Sequence, residues 1–208
     1  MVFHSVPKPI QLIFPKRKWE GDGKDDQVYL TFDDGPVPGV TDFVLEELSK
    51  RDQKATFFMV GDNVRKHSSL AKEVLSEGHG IGNHTYSHLN GYKTSYETYY
   101  KDFLVGENIF QDNLGIKTSL FRPPYGLLKH SQAEQVRETH QIIMWSVLSG
   151  DYSTALDSSQ VLVETQKRTK AGSIVVFHDQ EKTTQVLPEI LPSFLDFLID
   201  RGLKTALL

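Results

Sequence analysis

The stretch Val28-Tyr29-Leu30-Thr31-Phe32-Asp33-Asp34-Gly35-Pro36 sets two adjacent carboxylates at the end of an apolar run that Gly-Pro terminates. Neighbouring side chains on a strand alternate between its two faces, so both aspartates can face solvent only if the strand ends there. Like charges this close repel each other and drive their pKa values apart, whereas a cation beside them removes that cost. The pair therefore predicts either a bound metal ion or a catalytic proton.

The overall composition narrows the class of protein. The chain has 208 residues, enough for one domain with a substantial core, and 38% hydrophobic and 24% charged residues are ordinary for a globular protein. A net charge of -4, with no basic block beyond residues 16–18, argues against nucleic acid as a partner. Because cysteine is absent, His, Asp or Glu must hold any metal ion.

The sequence predicts no membrane-spanning segment, because no apolar run approaches the ~20 residues that cross a bilayer. No run of signal-peptide character is visible at the N-terminus. We therefore take the cytoplasm as the default location and leave export open. We expect the protein to be a monomer.

Short apolar runs rich in β-branched and aromatic residues alternate with helix-like stretches. The predicted strands, continuous enough to be buried on both faces, are 28–32, 55–60, 80–83, 119–121, 141–145, 173–177 and 203–208. The predicted helices are 41–50, 69–77, 95–114, 131–139, 155–170 and 187–200. This alternation, repeated about seven times, predicts an α/β fold with a parallel sheet.

The positions of the conspicuous polar residues favour a barrel over an open sheet. They follow predicted strands along the whole chain: Asp33, Asp34, His84, His88, Arg122, Asp151 and His178. In a barrel the carboxyl ends of the strands meet at one rim, whereas in an open sheet the outer residues could not meet. About seven strands indicate a distorted or incomplete barrel. Residues 1–27 would form an arm on its outside or across its bottom, with these apolar side chains packed against it: Ile10, Leu12, Ile13, Phe14 and Trp19.

The segment His84-Thr85-Tyr86-Ser87-His88 places two imidazoles four residues apart, and on a helical turn this spacing puts both rings on one face. Such a pair alone is more often structural than metal-binding. The preceding Gly80-Ile81-Gly82-Asn83 strengthens the metal interpretation, because it places His84 at a strand end. Two histidines and one carboxylate make a three-point metal site with open positions, and Asp34 or Asp33 would be the third ligand.

The segment after the predicted strand 119–121 could bind a reacting group. In Arg122-Pro123-Pro124-Tyr125-Gly126, the prolines leave the amides of Tyr125 and Gly126 to point at a ligand, as an oxyanion hole requires; a rigid turn is the alternative. A buried Arg122 needs a carboxylate, and Asp33 and Asp151 are the candidates.

His178 ends the apolar run 174–177. It could be a core residue, a third imidazole ligand or a proton donor, because its reference pKa of ~6.5 is close to working pH. Three aromatic residues, Tyr125, Trp145 and Tyr152, could stack on sugar rings or belong to the core.

Taken in order, these segments resemble the polysaccharide deacetylase family, also called the NodB homology domain or carbohydrate esterase family 4. The resemblance runs from about residue 28 to the C-terminus, so we predict a deacetylase domain over 28–208 behind the arm 1–27. Residues 31–36, 84–88 and 122–126 match the three most specific family motifs. The later motifs are looser: Tyr152 stands where relatives often carry Trp, and Val176 stands where Leu is usual near the acetyl methyl group.

The resemblance implies a distorted (β/α)7-type barrel and a metal-dependent hydrolase that removes N-acetyl groups from N-acetylhexosamine-containing glycans. Chitin oligomers and peptidoglycan are the substrate types, and acetate is released. An O-acetyl esterase acting on acetylated xylan or a similar polysaccharide is an alternative, and a non-catalytic glycan-binding domain is another. By the same resemblance, Asp34, His84 and His88 would hold a divalent metal ion, typically Zn²⁺ and sometimes Co²⁺ or Ni²⁺.

The resemblance also implies a role for each remaining site residue. Asp33 would be the general base that activates water, and His178 would be the general acid that protonates the leaving amine. The Tyr125 amide would help to hold the oxyanion. Arg122 would orient Asp33, and Asp151 could neutralise Arg122.

Overall fold

The computed structural model describes residues 3–208, and a curled sheet of parallel strands forms its centre. The strands are β1 (Gln27–Asp33), β2 (Thr56–Met59), β3 (Gly80–Asn83), β4 (Leu120–Phe121), β5 (Gln141–Ile142), β6 (Val147–Leu148), β7 (Ile174–His178) and β8 (Lys204–Thr205). Seven of them follow the order β5-β4-β3-β2-β1-β7-β6, and the short β8 pairs in parallel with the start of β1. The predicted distorted barrel of parallel strands is confirmed.

Helices connect the strands and cover the outside of the sheet. They are α1 (Lys8–Ile13), α2 (Thr41–Ser49), α3 (Gly61–Lys66), α4 (Ser68–Ser76), α5 (Tyr96–Leu114), α6 (His130–Val136), α7 (Ser158–Arg168) and α8 (Val186–Asp200). Among residues 3–208, no helix combines the length and the apolar character needed to cross a bilayer.

The strand β1 lies in the middle of the sheet because it is apolar on both faces. Its residues from Val28 to Asp33 are all buried. Phe32 stacks on Phe57 of β2 and Phe177 of β7, with ring centroids 5.2 and 6.0 Å apart. Phe194 of α8 meets Phe177 edge-on, at 5.1 Å between centroids, which joins this helix to the same core.

The structure refines several predicted boundaries. The predicted strand 141–145 pairs regularly only over β5, and β6 and α3 were not predicted. The predicted helix 155–170 begins later, at Ser158, because the Asp157 side chain caps it by accepting a hydrogen bond from the Gln160 N–H. The exact ends of helices depend on single hydrogen bonds, and the pattern of apolar residues does not predict these.

The N-terminal segment contacts both flanks of the sheet. Lys18 forms a parallel bridge to Ile143 beyond β5, and Glu20 forms an antiparallel bridge to Ser173 before β7. These contacts span the gap between β5 and β6, for which the described residues show no direct pairing. The exact division of the chain into arm and domain at residue 27 stays a prediction.

The predicted packing of the arm is only partly right. Trp19 is buried, and Phe14 packs beside it in a half-buried position. By contrast, Ile10, Leu12 and Ile13 are exposed, because α1 turns none of its side chains into the core.

The Phe194 side chain supports the fold from the side away from the site, so its loss should lower stability. We expect Phe194→Ala to reduce the free energy of unfolding by about 3–5 kcal/mol through lost burial and a residual cavity. Ile199→Ala on the same helix removes an exposed side chain and should change the free energy of unfolding by less than ~0.5 kcal/mol. Urea unfolding of both variants tests this, and equal losses would contradict the assignment.

Candidate active site

A cavity of about 900 Å³ opens at the carboxyl ends of the strands. Nine of the predicted site residues line it: Asp33, Asp34, His84, His88, Tyr125, Trp145, Tyr152, Val176 and His178. The other two, Arg122 and Asp151, are fully buried directly behind it. The volume lies within the usual range for sites that bind small molecules or parts of polymers.

Three side chains in the cavity bring possible metal ligands together. The Asp34 Oδ1 atom lies 3.0 Å from Nε2 of His88 and 3.4 Å from Nε2 of His84. The three candidate ligand atoms all lie within 4.8 Å of one another. Although Oδ1 is buried, it accepts no hydrogen bond of good geometry from the described residues. A buried carboxylate oxygen without a donor, facing two imidazole nitrogens, fits a divalent cation.

The electrostatic surroundings of this cluster agree with that fit. Burial alone would raise the pKa of Asp34, but the imidazoles of His84 and His88, together with nearby His178, hold it well below its usual value. The Nδ1 atom of His84 lies 2.7 Å from the Arg122 carbonyl oxygen, which can only accept. Nδ1 therefore carries the proton, and Nε2 offers its lone pair to the cavity.

The turn that carries the two histidines is not helical, so the spacing rule for a helical turn is not what brings their rings together. Thr85 and His88 have left-handed backbone angles, with φ of 66° and 57°. The two imidazole rings still meet, with centroids 5.1 Å apart. The turn brings them together by folding back on itself rather than by the spacing of a helix.

Asp33 and Arg122 form a buried ion pair beside the cluster. Arg122 Nη1 donates to Asp33 Oδ1 at 2.6 Å and to the Thr31 hydroxyl at 2.7 Å. Arg122 Nη2 donates to the Met144 carbonyl at 3.0 Å, and the guanidinium lies over the Phe58 ring at 4.1 Å. The predicted contact between Arg122 and Asp33 is therefore present.

His178 is paired with Asp151, which corrects the expectation that Asp151 neutralises Arg122. The Asp151 carboxylate accepts from His178 Nδ1 at 2.8 Å and from the His178 backbone N–H at 2.7 Å. Burial alone lowers the pKa of His178, but the charge of Asp151, with Asp34 and Asp33 nearby, raises it to about 9. Asp151 lies on the β7 side of the cavity, whereas Arg122 is satisfied by Asp33.

In the turn after β4, the residues that the structure describes leave one amide without a hydrogen-bond acceptor, rather than the expected two. The Gly126 N–H donates to the Pro123 carbonyl at 2.9 Å and is used within the turn. Tyr125 has a φ of 59°, and its side chain is exposed against the edge of the His88 ring, 4.8 Å between centroids. The Tyr125 N–H is therefore the candidate oxyanion donor of this turn.

Aromatic and apolar side chains also line the cavity. Trp145 follows β5 and lines the cavity, so it does not lie in the middle of a strand. Tyr152 is partly exposed and meets the His178 ring edge-on at 5.0 Å between centroids. Val176 is buried in β7 and borders the cavity floor.

Sequence reasoning missed two residues that hold the turn after β1. The buried Asp179 carboxylate accepts from the Gly35 N–H at 3.1 Å and from the Thr41 hydroxyl at 2.6 Å. A Cβ on Gly35 would overlap that carboxylate, which accounts for glycine at this position. Asn63 donates from Nδ2 to the Asp34 carbonyl at 2.7 Å. Asp179 could have been suspected from its place beside His178, whereas nothing in the sequence marks Asn63.

Comparison with known proteins identifies the class. Residues 20–142 match the family model described as polysaccharide deacetylase. The chain is 36% identical to a Bacillus cereus peptidoglycan-N-acetylglucosamine deacetylase over 84% of both chains. It is 35% identical to the Listeria monocytogenes enzyme of the same description over 76% of this chain, which spans only 33% of that longer protein.

The solved structures agree with the sequence relatives. A crystal structure of a peptidoglycan N-acetylglucosamine deacetylase superposes with a TM-score of 0.89 at 29% identity, covering 97% of this chain and 95% of that one. The chain therefore belongs to the polysaccharide deacetylase family, which is carbohydrate esterase family 4 or the NodB homology domain. It is a hydrolase of the deacetylase class.

Removing one partner of the buried ion pair between Arg122 and Asp33 should be strongly destabilising, because the other charge is left buried without a partner. Arg122→Ala leaves Asp33 and the Thr31 hydroxyl without their partner, and we expect a loss of about 3–5 kcal/mol in the free energy of unfolding. Arg65→Ala removes an exposed pair with Asp62 and should lose much less, because solvent screens that contact. Urea unfolding compares the two, and equal losses would refute the buried pairing.

Proposed function

We propose that this protein removes N-acetyl groups from N-acetylhexosamine-containing glycans, of the peptidoglycan or chitin-oligomer type, and releases acetate. The observation that carries the proposal is the convergence of Asp34, His84 and His88, whose candidate ligand atoms lie within 4.8 Å of one another. Similarity to relatives described as peptidoglycan-N-acetylglucosamine deacetylases supports the substrate type.

In this proposal Asp34, His84 and His88 hold a divalent cation, with Zn²⁺ expected and Co²⁺ or Ni²⁺ as alternatives. Such a cation, when bound, polarises a carbonyl oxygen and lowers the pKa of water. Two histidines and one carboxylate leave coordination positions open for water and substrate. The tautomer imposed on His84 by the Arg122 carbonyl keeps Nε2 ready for this role.

Asp33 is the proposed general base. Its Oδ1 atom is held by Arg122, which leaves Oδ2 to take the proton from the attacking water. The ion pair fixes the direction of the carboxylate. The Tyr125 N–H is the proposed donor to the oxygen that gains negative charge in the transition state.

His178 is the proposed general acid, at the end of β7, the strand next to β1. Asp33 and His178 are partners in the register of β1 and β7, so base and acid face one substrate. Asp151 binds Nδ1 of His178, which leaves Nε2 to give its proton to the leaving amine nitrogen. Trp145, Tyr152 and Val176 form the proposed wall around the acetyl group.

Acetate release tests the proposed reaction. Purified protein would be assayed with peptidoglycan fragments, chitin oligomers and acetylated xylan, each with a chelator and with added Zn²⁺ or Co²⁺. Metal-dependent acetate release from an N-acetylated glycan is the expected result. Release only from acetylated xylan would favour the O-acetyl esterase, and sugar binding without acetate under any condition would favour the glycan-binding domain.

Asp33→Asn should remove turnover while leaving the metal in place. An amide cannot take the water proton, and loss of a general base typically costs about 10²–10⁴-fold in rate. The ligand set of Asp34, His84 and His88 is unchanged, so the zinc content of the purified variant should match that of the unaltered protein. A near-normal rate would show that Asp33 is not the base.

The pairing of His178 with Asp151 should govern the alkaline side of the pH profile. A general acid acts only when protonated, so kcat should fall as pH rises through the pKa of His178, which is about 9. Asp151→Asn keeps an acceptor for Nδ1 but removes the negative charge, which lowers that pKa. The alkaline limb of kcat should therefore move to lower pH, and an unmoved limb would contradict the assignment of His178.

A further inference from the structure

The turn that carries His84 and His88 adopts a backbone conformation that must be held in place by its surroundings. Thr85 and His88 are both left-handed, and neither is glycine. This conformation costs non-glycine residues on the order of 1–2 kcal/mol each, and it persists only where neighbouring groups over-determine it. The candidate metal site therefore depends on whatever fixes residues 84–88.

One carboxylate outside the proposed ligand set binds the middle of this turn. Asp102, on α5, accepts the Tyr86 N–H at 3.1 Å and the Ser87 N–H at 3.0 Å through Oδ2. The Tyr86 N–H is shared with the Asp102 backbone carbonyl at 3.2 Å, whereas the Ser87 N–H depends on the carboxylate. Its Oδ1 accepts the Ser87 hydroxyl at 2.7 Å. Hydrogen bonds to an ionised acceptor are roughly twice as strong as those between neutral groups. Asp102 thus satisfies two successive backbone donors between the two histidines.

The start of the same turn is held through a second contact with α5. The Asn83 Oδ1 atom accepts the Thr85 N–H at 2.6 Å. Asn83 Nδ2 in turn donates to Oε1 of Glu107 at 2.8 Å and to the Phe103 carbonyl at 3.1 Å. Close approach is possible because Gly106 has no side chain, since a Cβ there would lie 3.1 Å from Asn83 Oδ1. The helix α5 therefore provides a fixed surface against which the turn is formed.

We propose that Asp102 is a positioning residue for the metal centre, which sets the spacing of His84 and His88 by binding the Tyr86 and Ser87 amides between them. The inference rests on the proposed metal-dependent function. Asp102 itself lies outside the candidate ligand set of Asp34, His84 and His88. Removing partners that orient metal ligands typically weakens metal binding by about 10–100-fold.

The test is the affinity for zinc, measured on metal-free protein by competition with a chromogenic chelator. We expect Asp102→Ala to bind zinc about 10–100-fold more weakly than the unaltered protein. Asp112→Ala removes an equal charge from an exposed position on the same helix and should leave the affinity unchanged. At saturating zinc, Asp102→Ala should regain most of its kcat with KM for the glycan unchanged.

A general structural role for Asp102 predicts a different pattern. It would lower the melting temperature of the metal-free protein and leave the zinc affinity of the folded fraction untouched. If Asp102→Ala does not fold, Asp102→Asn tests the proposal instead. Its single acceptor oxygen can make only neutral hydrogen bonds to the two amides, so zinc binding should weaken several-fold. The proposal is overturned if the folded Asp102 variant binds zinc as tightly as Asp112→Ala does.

The same measurement separates this inference from the proposed function. If the unaltered protein binds zinc and Asp102→Ala binds it equally tightly, only the positioning role fails. If the unaltered protein binds neither zinc nor cobalt, the metal-dependent function fails and the positioning role with it.

Discussion

Arg122 carries a positive charge into the interior of the sheet, and the polar groups that surround it tie several strands together. Its guanidinium binds the Asp33 carboxylate, the Thr31 hydroxyl and the Met144 carbonyl, while its own backbone carbonyl lies against His84 Nδ1. A buried charge is tolerated only when it is paired and hydrogen-bonded. The strand ends that supply these groups must therefore keep a fixed spacing. This spacing sets the positions of the cavity walls.

Two acid–base pairs of opposite character lie beside each other at the ends of β1 and β7, where Asp33 and His178 are register partners. Asp33 lies against a fixed cation, Arg122, and His178 lies against a fixed anion, Asp151. A base must carry negative charge before it acts, and an acid must carry a proton. Asp151 favours the protonated form of His178, whereas Arg122 fixes the direction of the Asp33 carboxylate. The surroundings therefore give the two groups different tasks in the proposed reaction.

Much of the barrel and of the candidate site could be predicted from the sequence, because both depend on local patterns. Apolar runs marked the strands, and polar residues at their ends marked the rim that Asp34, His84 and His88 share. The features that the sequence could not predict were contacts between distant residues and the backbone conformation of a turn. The partner of Asp151 lies 27 residues away on another strand, and composition cannot choose between two distant partners. The backbone of residues 84–88 could not be predicted from the spacing of the two histidines, because side-chain acceptors fix its conformation.

The order of strands in the sheet has a consequence for how the chain is synthesised. Among the strands of this sheet β1 is synthesised first, yet it lies between β2 and β7. Its Thr31 hydroxyl donates to the carbonyl of Val175, 144 residues further along the chain. Contacts this distant in sequence slow folding, because loop closure must come before the contact is gained. In chain order, the site residues from Asp33 to Tyr152 all precede β7. The proposed proton donor, His178, is therefore the last of the site residues to be synthesised, and a chain interrupted before β7 would lack it.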